Sequence, residues 1–167
     1  RSDFAPVGLK EFWENEAKTY NADSLVFLST IEGWIKNIVQ EALSMKYKEN
    51  WEIKGLPKQI YKRAKSIADE KNYDSIALGD GSNSVSIWDC VTLKECKEIV
   101  TAGNHWTELF EDKLTRPEEE KISGGKAAKT KWIEQIEALQ NKLHNPSYSV
   151  STVDFEFIKS VYSWIKA

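Results

Sequence analysis

Apolar residues recur every three or four positions along most of this chain, a spacing that predicts amphipathic α-helices. A first short helix is predicted over residues 9–20. The strongest pattern follows Asp23, which can cap a helix N-terminus, and it continues for about five turns. The apolar side of this second helix is formed by Leu25, Leu28, Ile31, Ile35, Ile38, Val39, Ala42 and Leu43.

Short local signals mark where later helices begin. Gly55-Leu56-Pro57 ends one segment and opens another, because proline suits the first position of a helix. Thr92 and Glu95 have the spacing of a capping box, and the apolar positions after them predict one helix as far as Phe110. Ser151 and Asp154 repeat that pattern before the last predicted helix.

One further helix is predicted from Arg116-Pro117, because the three acidic residues that follow suit the positive end of a helix dipole. Gly124-Gly125 can interrupt it, and it should end before Pro146. No alternating segment is long enough to predict a strand. The fold class is therefore predicted as all-α, a bundle of about six helices.

Residues 72–86 are predicted to form an irregular connection. Within it, Leu78-Gly-Asp-Gly-Ser-Asn-Ser is the only glycine-rich run. It lacks the Lys-Ser/Thr ending of a phosphate loop and any preceding β-branched strand. We interpret it as a plain turn.

The composition narrows the class of protein. With 167 residues, 29% charged residues and a net charge of -3, the chain is neither a disordered tail nor a bulk polybasic nucleic-acid binder. No apolar run approaches the roughly 18 residues that a membrane span needs.

Cys90 and Cys96 fit neither a disulfide framework nor a zinc site, so we expect reduced thiols and a cytoplasmic protein. Because the sequence begins with Arg1 and not with Met, we expect it to be a piece of a larger protein.

Seven tryptophans are spread almost evenly along the chain. They could be platforms on which ligands stack, but most fall in register with the apolar residues of predicted helices. Core packing is therefore the predicted role for most of them.

Basic residues are concentrated in one part of the chain. Residues 46–71 carry eight basic and four acidic side chains, whereas residues 72–112 carry two basic and eight acidic ones. Four of these basic residues lie on one predicted helix, namely Lys58, Lys62, Arg63 and Lys65. Two interpretations stay open for them, a nucleic-acid-binding face and an ordinary solvated helix face.

Only two histidines could supply proton-transfer chemistry. His105 has no neighbour in sequence that would orient it as a base, so it is interpreted as a surface or packing residue. His144 lies at the predicted C-terminal end of a helix, where the carbonyl dipoles favour an imidazolium. That position also stabilises a helix without any catalytic role.

The segment from Ile136 through His144-Asn-Pro, followed by Ser151-Thr-Val-Asp154 and an aromatic helix, resembles the C-terminal half of a HEPN domain. The resemblance covers about residues 75–167 and implies a four- or five-helix bundle that dimerises. It divides the chain into an N-terminal helical extension, residues 1–72, and a HEPN-like bundle, residues 73–167.

Active HEPN domains are metal-independent RNA nucleases in which an arginine and a histidine meet across a dimer. By position, His144 matches the family's histidine, and Asn141 matches the polar residue of its motif. Gln140 lies nearest to the place of the arginine, but its neutral amide cannot form the charged fork that arginine makes with phosphate. Arg116 and Lys142 are the cations that could replace it.

Three functions therefore stay open. The first is a non-catalytic HEPN-like module for dimerisation, sensing or nucleic-acid-associated interaction within a larger prokaryotic defence or nucleic-acid-processing protein. The second is an active RNase that uses His144, and the third is an unrelated helical interaction domain. The expected partners are a second copy of the chain, other domains of the parent protein, and RNA or DNA. No cofactor, metal or membrane partner is expected.

Overall fold

A computed structural model describes the backbone of residues 7–79 and 84–167, and the side chains of residues 18–79 and 84–167. Over these ranges the chain is all-α, as predicted, with no strand. Five of its α-helices are seven residues or longer. The eight α-helices are α1 (Val7–Tyr47), α2 (Trp51–Gly55), α3 (Lys58–Ala77), α4 (Leu93–Thr101), α5 (Glu111–Leu114), α6 (Gly125–Lys129), α7 (Lys131–Leu143) and α8 (Thr152–Lys166).

The first two predicted helices are one helix. Helix α1 continues for 41 residues through Asp23, so the prediction that Asp23 caps a second helix is wrong. Neither proline nor glycine separates the two predicted segments, and Asn21 takes a different role. Its side-chain amide donates to the carbonyl of Tyr148 at 2.7 Å and accepts from the amide of Val150 at 2.9 Å.

The predicted break at Gly55-Leu56-Pro57 is confirmed, since α2 ends at Gly55 and α3 begins at Lys58. Helix α3 continues to Ala77, so the predicted irregular connection begins later than residue 72. Asn72 lies on this part of α3, and its side-chain amide donates to the carbonyl of Val85 and accepts from the Val85 amide. The turn predicted for the glycine-rich run includes residues 80–83, which lie outside the described residues.

The capping box before α4 is confirmed. Thr92 accepts from the backbone of Glu95, and the Glu95 carboxylate accepts from the backbone of Thr92. The helix predicted to reach Phe110 nevertheless ends at Thr101. A turn at residues 102–104 follows, with Gly103 at φ +52°, and then a π-helical turn, Trp106–Phe110, leads directly into α5.

The region after Arg116 is less helical than predicted. Before Gly124, a single 3₁₀ turn, Pro117–Glu119, lies where the first part of the helix was predicted, whereas the part after the glycines is helical. Gly124 and Gly125 both have positive φ, which confirms the interruption at this pair. Helix α7 ends before Pro146 as predicted, and Ser151 caps α8 by accepting from the amide of Asp154 at 3.1 Å.

The described residues form two compact units, one of residues 7–34 and 135–167 and one of residues 35–79 and 84–134. The core of the first is built from α1, α7 and α8, and its fully buried side chains include Leu28, Ile31, Ile136 and Ile158. The core of the second includes Ile35, Leu43, Ile99, Phe110 and Trp132. The division predicted at residue 72 stays a prediction, and that residue lies inside α3.

Six tryptophans have described side chains, and none of them is exposed. Trp88, Trp106 and Trp132 are buried, which agrees with the predicted packing role. Trp34 packs edge-on against Trp164 with ring centroids 5.3 Å apart, and Trp51 packs in the same way against Trp88. No helix among the described residues is long and apolar enough to span a membrane.

Candidate functional site

The predicted motif lies at the C-terminal end of α7. Gln140 and Asn141 belong to the last turn of the helix, and His144 follows directly after it. The backbone amide of His144 donates to the carbonyl of Asn141 at 3.3 Å, which closes the helix. The side chains of Asn141 and His144 are exposed, whereas Gln140 is half-buried.

The side chain of Gln140 forms a hydrogen bond with a carboxylate. Its Nε2 donates to Oε2 of Glu32, on α1, at 2.7 Å. The amide of Asn141 lies 3.5 Å from the carboxylate of Glu137, one helical turn earlier. At the position for which the sequence resemblance implies a cation, the structure has a neutral amide beside a carboxylate, an arrangement that does not attract a phosphate.

The two residues that the sequence offered as replacement cations, Arg116 and Lys142, have contacts of their own. Arg116 is 7% exposed and pairs with Glu119, with Nη2 3.0 Å from Oε1 and Nε 3.1 Å from both carboxylate oxygens. Lys142 is exposed, and its Nζ lies 5.9 Å from the ring centroid of Tyr148. Arg116 therefore has a structural partner, and Lys142 extends beside an aromatic ring.

The four basic residues of the predicted nucleic-acid face divide into two kinds. Lys58 and Lys62 are exposed on α3, with no ion pair among the described residues. Lys65 pairs with Asp69 one turn later, at 2.7 Å. Arg63 is half-buried, pairs with Glu95 of the capping box and donates to the carbonyl of Cys90 at 2.8 Å. Arg63 therefore joins α3 to α4.

The Arg63–Glu95 pair changes the titration of both groups. The hydrogen bond to Glu95 raises the pKa of Arg63 above its usual value, although burial opposes the change. Burial of Glu95 by itself would raise its pKa. The hydrogen bonds from Arg63 and Thr92 outweigh burial and hold the pKa of Glu95 below its usual value.

His105 is the residue whose surroundings the sequence did not reveal. The structure buries it to 8% exposure, and both ring nitrogens have partners. Nδ1 lies 2.8 Å from the carbonyl oxygen of Ile99, and Nε2 lies 2.6 Å from the hydroxyl of Tyr47. Because a carbonyl can only accept, Nδ1 carries the proton, and in the neutral ring Nε2 accepts from Tyr47.

His105 is thus oriented, contrary to the expectation that nothing would orient it. Phe110 and Tyr47 meet its ring edge-on, with centroids 6.4 Å and 5.8 Å away. The π-helical turn begins at the next residue, and such turns are frequent at functional sites. No signal in the sequence pairs His105 with Tyr47, because the two residues are 58 positions apart.

Among the described residues, no group of three or more histidine, cysteine or acidic side chains could hold a metal ion. Cys90 and Cys96 are buried, and neither forms a disulfide. Comparisons with models of protein families, with curated proteins and with solved structures find no match for this chain.

Proposed function

We propose that this chain is a non-catalytic, HEPN-like helical module that acts by self-association within a larger prokaryotic defence or nucleic-acid-processing protein. The observation that carries the proposal is the hydrogen bond from Gln140 to Glu32, at 2.7 Å. It gives the motif an amide and a carboxylate in the place where cleavage of RNA would need a cation.

The chemistry of RNA cleavage explains why this matters. Attack by the ribose hydroxyl concentrates negative charge on the phosphate, and a cation beside it lowers the barrier. A histidine alone can move a proton but cannot supply that electrostatic stabilisation. His144 therefore lacks the partner that would make it a catalyst, and we propose a binding role for this end of α7.

The resemblance supports self-association through the same end of α7, because HEPN domains bring their motifs together across a dimer. Asn141 and His144 are exposed there and could contact a second copy. A nucleic-acid contact would depend on Lys58 and Lys62, since Arg63 and Lys65 are engaged in ion pairs. A cytoplasmic location accords with the two buried cysteines, Cys90 and Cys96, which form no disulfide.

Incubation with RNA in the presence of a metal chelator tests the proposal, with the mass in solution measured on the same preparation. We expect no cleavage by the chain or by His144→Ala, and a particle of twice the chain mass of 19.1 kDa. Cleavage that His144→Ala abolishes would overturn the proposal in favour of a nuclease.

A substitution at the interface separates self-association through this surface from any other. Asn141→Arg should shift the particle to the monomer mass, because two copies would face each other with like charges. Gln59→Arg, at an exposed position of α3, is the matched control and should leave the mass unchanged. A monomer without any substitution, or a dimer that both variants leave intact, would contradict the proposed surface.

A further inference from the structure

A cavity of about 390 Å³ lies beside the Tyr47–His105 pair, within the unit of residues 35–134. Its walls come from the end of α1, from α2 and the start of α3, and from the turn before the π-helix. We call it the Tyr–His cavity, and it is lined by Lys46, Tyr47, Lys54, Gly55, Leu56, Pro57, Ala102, Gly103, Asn104 and His105. Its volume is in the range of small-molecule sites.

The lining of the Tyr–His cavity includes two lysines and no acidic residue. This is notable in a chain whose net charge is -3. Lys46 pairs with Glu108, which lies outside the lining, and its Nζ is 5.4 Å from the ring centroid of Tyr47. Lys54 is exposed and has no ion pair among the described residues. The ionisable side chains of the wall therefore favour an anion.

The start of α3 adds to this preference. Pro57 is both a lining residue and the N-cap of this 20-residue helix, and no side chain caps it. The first backbone N–H groups of a helix lack partners within it, and the helix dipole places partial positive charge there. A second source of positive potential therefore lies beside the two lysines.

The rest of the wall is held in place by specific contacts. His105 is fixed between the Ile99 carbonyl and the Tyr47 hydroxyl. The Tyr47 ring packs against Gly55 so closely that a Cβ there would lie 3.1 Å from a ring carbon. A wall fixed before the ligand arrives lowers the entropic cost of binding.

We propose that the Tyr–His cavity binds a phosphate monoester dianion. The double charge matches the Lys54 ammonium and the positive end of the α3 dipole, with Lys46 shared with Glu108, and its several oxygens can accept from both lysines at once. A carboxylate offers one charge and two oxygens, so it uses fewer of these donors. The volume left beside the phosphate can accommodate the small organic group of the ester.

Titration of the chain with inorganic phosphate and with glycerol 3-phosphate tests this proposal. Calorimetry and NMR signals of the histidine rings measure the binding. The chain has only two histidines, and His144 belongs to the other unit, so it is an internal control. We expect saturable shifts of the His105 signals with both compounds and none of the His144 signals. The ester should bind more tightly, because its organic group contacts the remaining wall.

Variants locate the site. Lys54→Met should weaken binding of both compounds by about tenfold, which corresponds to the loss of one charge-assisted contact. Lys62→Met, an exposed lysine on α3 outside the lining, is the matched control and should bind like the unsubstituted chain.

Three outcomes would overturn the proposal: no saturable binding, equal losses in the Lys54 and Lys62 variants, or binding of an RNA oligonucleotide but of neither inorganic phosphate nor glycerol 3-phosphate. Equal affinity for the two compounds would contradict the assigned place of the organic group and leave free phosphate as the ligand. None of these results depends on whether the chain forms a dimer or lacks nuclease activity.

Discussion

Glu95 joins two parts of the fold through one carboxylate. It closes the capping box of α4 by accepting from the amide of Thr92 at 2.9 Å. The same group accepts from the guanidinium of Arg63, with Oε2 2.7 Å from Nε. The side chain of Glu95 is 13% exposed, whereas that of Arg63 is 40% exposed, so solvent weakens the arginine's share of the interaction.

The pH dependence of the free energy of unfolding should reveal the contribution of the Glu95 carboxylate. The pKa of Glu95 is lower in the folded chain than its ordinary value, so its contribution to stability is present above the unfolded value, about 4.3. It is lost as the pH falls through the lower, folded value. We expect Glu95→Gln to cost about 1–2 kcal/mol at pH 7, and the difference from the unsubstituted chain to narrow below about pH 4.

Urea unfolding at a series of pH values between 7 and 3 measures this difference. Glu98→Gln is the control, because Glu98 is exposed on the same helix. It should change the free energy of unfolding by less than about 0.5 kcal/mol at every pH. A penalty for Glu95→Gln that stays constant across the series would show that the carboxylate charge is not what stabilises this junction.

At the scale of single residues, local partners were predictable and distant ones were not. Thr92 and Glu95 are three positions apart, and the capping spacing alone found both. Tyr47 is 58 positions from His105, and Glu32 is 108 positions from Gln140, so these contacts required the fold. The sequence identified His144 as chemically interesting, but it could not reveal the carboxylate beside the motif.

At the scale of helices, apolar spacing predicted where helices exist better than where they end. The spacing of Cys96, Ile99 and Val100 continues toward Trp106 and Phe110, which is why one helix was expected. That helix ends where Ala102 becomes extended, at φ -72° and ψ 132°, and the turn continues through Gly103 at φ +52°, a backbone region in which residues with a Cβ are strained. A lone glycine in a periodic segment does not by itself distinguish a helix end from a tolerated interior position.

Alanine substitutions at two glycines test this explanation, because we expect them to change the free energy of unfolding in opposite directions. Gly103→Ala should destabilise the chain by about 1 kcal/mol, because alanine at positive φ is strained. Gly33 lies within α1, and a Cβ there would meet nothing within 4 Å. Gly33→Ala should therefore stabilise the chain by about 0.5–1 kcal/mol.

Midpoints of urea unfolding with unchanged slopes would give both differences. If Gly103→Ala were neutral, the turn at residues 102–104 would not require the left-handed conformation. If Gly33→Ala were destabilising, the continuous α1 helix would be in doubt.

At the scale of the whole molecule, two helices belong to both compact units. Helix α1 contributes residues 7–34 to one unit and residues 35–47 to the other, and α7 is divided between residues 134 and 135. Unfolding one unit alone would require a helix to end at the division. The new end would leave backbone groups without partners, because neither division carries a capping motif. The all-α class was predictable, but this sharing of helices was not, because the sequence pattern separated α1 at Asp23.

We therefore expect the two units to unfold in one cooperative transition. Ile158 and Ile99 are both fully buried, one in each unit. Ile158→Ala and Ile99→Ala should each lower the free energy of unfolding by about 2–5 kcal/mol, and each should move the whole transition. Within each variant, the unfolding midpoint measured by circular dichroism should equal the midpoint measured by tryptophan fluorescence. Val153→Ala, at a side chain that is 78% exposed on α8, should cost less than about 0.5 kcal/mol. Two separated steps in either isoleucine variant would mean that the shared helices can end at the division, and that each unit folds without the other.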